Sequence, residues 1–263
     1  VVLARDHKRA ESQLGPDVAV IEGDVLDAAA CVRAATGCDA VLHLATAIPR
    51  GPKPNWSMND RIRTEGTGNL LAAARSAGAR RYVQQSVIFV YNDGGESWLD
   101  EESPIDAPSF LRSAVEMEAM VRESADVEWT ILRGSLFYGT DTGATEQLLD
   151  NVRNGRAMVS ASGERYLSLI HPRDMASAVV AAVEKASPGS VYNVVDDEPV
   201  RQNDLVRFLA HLLSVAAPCA TPESTPTGRS LRVSSARLRH ALGWEPGFST
   251  FREGFRAILI GEG

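Results

Sequence analysis

The chain has 263 residues, 44% of them hydrophobic and 23% charged, an ordinary balance for a soluble globular protein of one large domain or a domain with a smaller appendage. A net charge of -7 argues against a phosphate-backbone binder, which relies on clustered Lys and Arg, so no nucleic-acid partner is expected. No apolar run approaches the ~20 residues of a membrane span, and the opening VVLARDHKRA puts its charges after its short apolar run, the reverse of a secretion signal. Cys31, Cys38 and Cys219 lack metal-ligand spacing, so no metal is expected and a reducing cytoplasm fits.

Strands are predicted at 1–4, 18–24, 39–45, 81–89 and 129–134, with helical stretches at 27–37, 60–78 and 109–124 between them. Strands of this length alternating with longer helices imply parallel βαβ units. Their nearly continuous apolar character fits strands covered on both faces. Beyond 140 the pattern loosens: helices at 144–154, 173–185, 202–213, 235–242 and 250–258, strands at 166–170 and 190–195, and a Pro/Thr-rich loop at 217–228. The expected architecture is α/β: a Rossmann-like, doubly wound parallel sheet over 1–140, with segments such as 173–195 packing back on it. A smaller α/β lobe over 141–263 would mainly bind substrate.

In an open α/β sheet ligands bind beyond the carboxyl ends of the strands. Arg5 follows the first strand, where a cation can pair with a ribose 2′-phosphate, though it can equally be a solvated surface residue. Asp24 and Val25 follow the second, placed to accept an adenine amino hydrogen and to pack on the ring; alternatively Asp24 or Asp27 caps the next helix. After the third come Leu44, Ala45, Thr46 and Ala47, mostly small residues that let a ligand approach the backbone. Ser86 and Tyr91 accompany the fourth strand, and Arg133, Gly134 and Tyr138 follow the fifth. Ser86, Tyr91 and Tyr138 are candidate catalytic groups, Gly134 joins the cofactor-binding set, and Arg133 and His171 are substrate candidates. Each has a plainer reading: the tyrosines as packing residues, and His171 as the residue before a helix opened by Pro172 and Asp174. Asp196, Asp197 and Glu198 read as a solvated turn.

Taken together, GDVLD, HLATA, RTEGTGNLLAAA, QQSVIFVY, ILRGSLFYG, SLIHPRDMASAVVAAVE, VYNVVDDEPV and SSARLRHALGWEP resemble the extended short-chain dehydrogenase/reductase family, also called the NAD-dependent epimerase/dehydratase family, over essentially the whole chain. The resemblance implies an NAD(P)-dependent oxidoreductase or epimerase-like enzyme acting on a small molecule. It also implies a possible homodimer through the helices at 59–77 and 109–124.

The resemblance also exposes departures. The family opens the helix after the fourth strand with Y-x-x-x-K, whose Tyr is the general acid/base and whose Lys lowers its pKa. Phe110 and Ala114 stand at those places. The family's serine aligns with Val87, one residue from Ser86, and its asparagine with Arg63. Phe110, Ala114, Met117 and Val121 are spaced as the buried stripe of a helix.

The chain also begins at what would be the family's second strand, without the G-x-x-G-x-x-G phosphate loop. NADP or NAD is therefore expected as cofactor if an upstream glycine loop exists, and otherwise none. Likewise either residues precede Val1, or the strands at 1–4 and 39–45 pair directly. Two alternatives stand beside the redox enzyme: a cofactor-independent lyase, isomerase or cyclase, and a non-catalytic dinucleotide-sensing protein.

Overall fold

The computed structural model describes all residues except 50, 52, 141, 158, 161–164, 219, 222–227 and 262–263. The first element, β1 (Val2–Ala4), leads to α1 (His7–Leu14), which the sequence reading left out. Asp6 accepts from the Arg9 amide and caps this helix. Next come β2 (Val20–Glu22), α2 (Ala28–Ala35) and β3 (Ala40–His43). Asp27 caps α2 by accepting from the amides of Ala29 and Ala30, so Asp24 is spared that duty.

The predicted helix at 60–78 begins earlier and is not uniform. It runs as α3 (Ser57–Arg61), a π-helical turn (Ile62–Gly66) and α4 (Thr67–Ala77), which closes on Gly78 at φ 67°. Strand β4 (Arg81–Val87) ends in a 3-10 turn (Ile88–Val90) rather than running to 89. A two-residue strand, β5 (Trp98–Leu99), follows, then a 3-10 turn (Ser109–Leu111) and α5 (Arg112–Arg122). Then come β6 (Glu128–Gly134), β7 (Leu136–Phe137), α6 (Gly143–Arg153) and β8 (Val159–Ser160).

The run at 166–170 is two short strands, β9 (Tyr166–Leu167) and β10 (Leu169–Ile170), with different partners. They are followed by α7 (Pro172–Lys185), β11 (Ser190–Val194), β12 (Val200–Arg201) and α8 (Gln202–Leu212). Within the expected loop 217–228, β13 (Ala220–Thr221) pairs with β8, while Cys219 and 222–227 lie outside the described residues. The chain closes with β14 (Arg232–Val233), α9 (Ala236–Leu242) and α10 (Phe251–Ile260), the last opened by a Thr250–Glu253 capping box.

The largest sheet has the order β11-β6-β4-β3, with β3 and β4 parallel. Strands β1 and β2 form a separate parallel pair. Among the described residues β1 pairs with β2 alone and β3 with β4 alone, so the sheet does not close by pairing 1–4 with 39–45. The sheet is Rossmann-like, as expected.

The compact units do not follow a single cut at 140. One comprises 1–86, 107–132 and 182–191, and the other 87–106, 133–181 and 192–263. Four of the five divisions fall inside β4, β6, α7 and β11, and the fifth lies between residues 106 and 107, outside any strand or helix. The first unit's core joins Cys31, Val41, Leu71, Tyr82, Val121 and Ile131. The second has a core of Tyr138, Leu169, Phe208, Leu209, Phe251 and Phe255, and a smaller cluster around Ile88, Tyr91 and Val233.

Two expectations about burial are overturned. Phe110 is 44% exposed, because the 3-10 turn before α5 breaks the register and turns Leu111 inward instead. Ala114, Met117 and Val121 are buried as the stripe predicts. Asp196 is not a solvated turn residue: it is 2% exposed, and its amide donates to Leu169 O.

Candidate functional site

In the first unit the predicted residues follow the ends of β1, β2 and β3. Arg5 is exposed just past β1. Asp24 is half-buried, and its Oδ1 accepts from the Leu26 amide at 3.0 Å, leaving its other oxygen with no described partner. Val25 packs on the first core, and its carbonyl accepts from Asn69 Nδ2 at 3.0 Å. Gly66 lets α4 come this close: a Cβ there would lie 3.2 Å from both methyls of Val25.

Leu44, Ala45 and Thr46 are exposed and Ala47 half-buried. What holds this loop was not foreseen. Asn59, fully buried on α3, accepts through one Oδ1 from Thr46 Oγ1 at 2.8 Å and from the Ala47 amide at 2.9 Å. Its Nδ2 is buried with no described partner. The signal available was Asn59 itself, a polar residue one turn ahead of Arg63, but it belongs to no motif.

His43, 1% exposed at the end of β3, places Nε2 3.3 Å from Ile62 O, the first carbonyl of the π turn. If Nε2 donates to that carbonyl, Nδ1 is the unprotonated nitrogen, and Nδ1 is buried with no described partner. Burial drives the imidazole pKa down to about 4, opposed by the Ile62 contact, so the ring is neutral.

Arg63, on the π turn and also buried, donates from Nη1 to Ser113 Oγ at 3.3 Å. Ser113 in turn donates to Asp60 Oδ1 at 2.6 Å. Burial pulls the guanidinium pKa down, and Asp60 opposes this. Phe110 stacks on Trp56, with ring centroids 5.0 Å apart and an interplanar angle of 35°. Ala114 is fully buried.

Ser86 does not stand free to act on a ligand. It is buried, and its Oγ donates at 2.7 Å to Oε1 of Glu118, a buried carboxylate on α5 that also meets Arg122 at 3.2 Å. Strand alternation accounts for this. Ser86 points toward the helix-covered face, while the neighbouring Val87 is half-buried on the other.

The remaining candidates lie in the second unit and split into two groups. Tyr91 is fully buried. Its hydroxyl donates to Asn193 Oδ1 at 2.8 Å and accepts from Arg133 Nη1 at 2.8 Å, while the guanidinium stands 4.9 Å from its ring centroid. The Asn193 amide donates to Oε1 of Glu101 at 2.8 Å, and Glu101 Oε2 lies 3.4 Å from Arg237. Burial raises the pKa of both Tyr91 and Glu101. Asn193, Glu101 and Arg237 were not singled out in the sequence.

Tyr138 belongs to the apolar core. It stacks on Phe255 at 4.9 Å and meets His171 edge-on at 5.6 Å. Gly254 makes room for it, since a Cβ there would fall 2.2 Å from the phenol oxygen. Burial raises its pKa steeply, and its hydroxyl has no described partner, so it is a poor proton donor. His171 is buried and its Nδ1 accepts from the Arg173 amide at 3.2 Å, the helix-start role anticipated for it. Gly134 is buried, where a Cβ would meet the Phe137 ring at 3.4 Å and Met175 Sδ at 3.5 Å.

A family model described as NAD(P)H-binding matches residues 1–186. Among curated proteins, a 3-diazoavenalumate denitrifying reductase from a Streptomyces species is 32% identical over 262 residues, covering 89% of this chain and 85% of that protein. The N-acetyl-alpha-D-glucosaminyl-diphospho-ditrans,octacis-undecaprenol 4-epimerase of Escherichia coli O157:H7 is 26% identical over 251 residues, 87% of this chain and 75% of that one. A dTDP-glucose 4,6-dehydratase from Streptomyces venezuelae, solved with NAD bound, superposes with a TM-score of 0.79 at 18% identity, covering 95% of this chain and 81% of that one. A UDP-glucose 4-epimerase from Thermotoga maritima gives 0.78 at 18% identity, covering 95% and 85%. At these identities the two structures establish the fold alone. No helix among the described residues is long and apolar enough to cross a membrane.

Proposed function

The chain belongs to the NAD(P)H-binding family, and on that premise we propose that it is a reductase of a small electrophile whose reduction requires no proton donor at the start of α5. The observation that carries this reading is the pair Phe110 and Ala114. One stacks on Trp56, the other is sealed in the core, and neither can move a proton.

Bound NAD(P)H supplies hydride. The residues of the first unit fit such a dinucleotide. Asp24 has one carboxylate oxygen with no partner among the described residues, beside Val25, and Asn59 holds Thr46 and Ala47 in place. Arg5 would select NADP over NAD by pairing with the 2′-phosphate.

The electrophile follows from the missing acid. Reducing a carbonyl leaves an alkoxide, which needs a proton at once. Reducing a diazonium, the conjugate acid of a diazo compound, takes up hydride, breaks the carbon–nitrogen bond and expels N2. Cation and hydride cancel, and the product is neutral. The name of the Streptomyces relative, a denitrifying reductase of a diazo compound, supports this choice. Tyr91 is committed to Arg133 and Asn193, and Tyr138 is a core residue, so neither takes the place of the absent tyrosine.

The test is anaerobic reaction of the protein with para-carboxybenzenediazonium and NADPH deuterated at the transferred hydrogen, against an enzyme-free control and para-carboxybenzaldehyde. We expect N2 equal to the NADPH consumed, one deuterium in the benzoate, and the aldehyde untouched. Faster reduction of the aldehyde would overturn the proposal. NADPH bound with neither compound reduced would favour the dinucleotide-sensing alternative.

A further inference from the structure

Strand β3 and the segment after it are fastened at two places to one stretch of helix. At the strand's end, His43 Nε2 lies 3.3 Å from Ile62 O. Just beyond, Thr46 Oγ1 and the Ala47 amide both donate to Oδ1 of Asn59, at 2.8 and 2.9 Å. Asn59 and Ile62 are three residues apart, neighbours on one helical face.

Between and beyond these fastenings the chain is open. Leu44, Ala45 and Thr46 are exposed, and the stretch from 44 to 48 has no regular secondary structure. Among the described residues, its only hydrogen bonds are the two that end on Asn59 Oδ1. One buried oxygen therefore fixes an exposed loop at a strand's carboxyl end.

Asn59 is fully buried, and its Nδ2 has no described partner. An unpartnered buried donor costs stability. A carboxamide kept at that cost is explained by what its oxygen holds. Ligands of an open α/β sheet bind beyond the carboxyl ends of the strands, which is where this loop lies. A ligand that meets a loop already fixed does not have to order it, and so loses less affinity to conformational entropy.

We propose that Asn59 is a positioning residue for the nicotinamide dinucleotide, acting through Thr46 and Ala47. Its Oδ1 sets their backbone before the cofactor arrives and so raises the affinity for it. The inference rests on the preceding reading in taking the dinucleotide to bind at these strand ends.

The experiment makes two measurements on the protein and its variants. One is hydrogen exchange of the Ala47 amide without ligand, and the other is calorimetric binding of NADPH and of NADH well below the melting temperature. Asn59→Ala should speed Ala47 exchange and weaken both cofactors by the same factor, about tenfold or more. Thr46→Val, at an exposed position, removes one of the two donors and should weaken both cofactors about threefold. Thr46→Ser keeps the hydroxyl and should bind as the parent does. If Asn59→Ala does not fold, the two Thr46 variants are judged on the same binding criteria. Unchanged Ala47 exchange in Asn59→Ala would overturn the proposal. Faster exchange with unchanged binding would also overturn it, by leaving Asn59 a purely structural role. A loss confined to NADPH would do the same, by pointing to the 2′-phosphate. Binding by the parent that the variants leave intact removes this proposal alone, whereas a parent that binds neither cofactor removes the preceding reading with it.

Discussion

Each unit buries an arginine, and the two are treated differently. In the second unit Arg133 is met by the Tyr91 hydroxyl and ring, Tyr91 by Asn193, and Asn193 by Glu101. In the first unit, among the described residues, the one hydrogen bond of Arg63 goes to Ser113, while Asn59 Nδ2 and His43 Nδ1 are buried without a described partner. A buried network that satisfies itself stabilises and specifies the fold. A buried set left incomplete loses stability while empty and recovers it only when a ligand supplies the missing groups. The first pattern is that of a scaffold, and the second that of a binding site.

The largest expected effect is the contrast between the two arginines. Arg133→Ala leaves Tyr91 without its donor and opens a cavity in a closed network, and should cost about 3–5 kcal/mol in urea unfolding. Arg63→Met should cost nothing without ligand. Comparable losses at the two sites would erase the distinction between scaffold and site.

Next in size are two opposite slopes of stability with pH. Burial holds the His43 pKa at about 4, below its ordinary 6.5. The unfolded chain therefore binds the extra proton first. This contribution is complete above pH 6.5 and is lost as pH falls through 4. Burial pushes Asp196 the other way, from 3.8 up to about 8. Here the folded chain holds the proton longer, so the contribution is complete below pH 3.8 and is lost as pH rises through 8. Each limb amounts to a few kcal/mol. The two windows overlap between pH 4 and 6.5, where the slopes oppose each other, and only the fall from 6.5 to 8 belongs to Asp196 alone. Unfolding measured from pH 4 to 9 should show Asp196→Asn abolishing the fall between 6.5 and 8, and His43→Gln leaving that fall intact while stability rises more steeply as pH drops from 6.5 to 4. A change between 6.5 and 8 in the His43 variant, or none in the Asp196 variant, would refute the assignment.

The smallest effect separates two buried tyrosines. Tyr91→Phe removes a hydroxyl with a donor and an acceptor and should cost about 1 kcal/mol. Tyr138→Phe removes a buried hydroxyl with no described partner and should be neutral or stabilising by up to about 1 kcal/mol. Neither change should alter reduction of the diazonium. Loss of turnover in one of them would restore that tyrosine as a proton donor.

The alternation of strands and helices was legible because its signals are local. Hydrophobic periodicity, Asp27 as a cap and Gly78 at a helix end each act within a turn or two of the chain. The resemblance located the strand ends for the same reason, since the residues that carry it lie in short contiguous motifs. What escaped was short or non-local. β5, β13 and β14 are two residues each and exist only because a distant partner satisfies their backbone. The π turn was invisible because a 3.6-residue pattern does not register one inserted residue. Phe110 faces solvent because a 3-10 turn shifts the register by a fraction of a turn, which spacing alone cannot reveal.

The sequence by itself determined that this is a Rossmann-like α/β chain of the NAD(P)H-binding family, because composition, periodicity and contiguous motifs carry that information. Only the tertiary structure decided which buried polar groups are finished and which are not. Arg133 and Arg63 look alike in the sequence. They differ because Tyr91, 42 positions away, folds back onto Arg133 and is itself held by Asn193, while among the described residues the one hydrogen bond of Arg63 goes to Ser113.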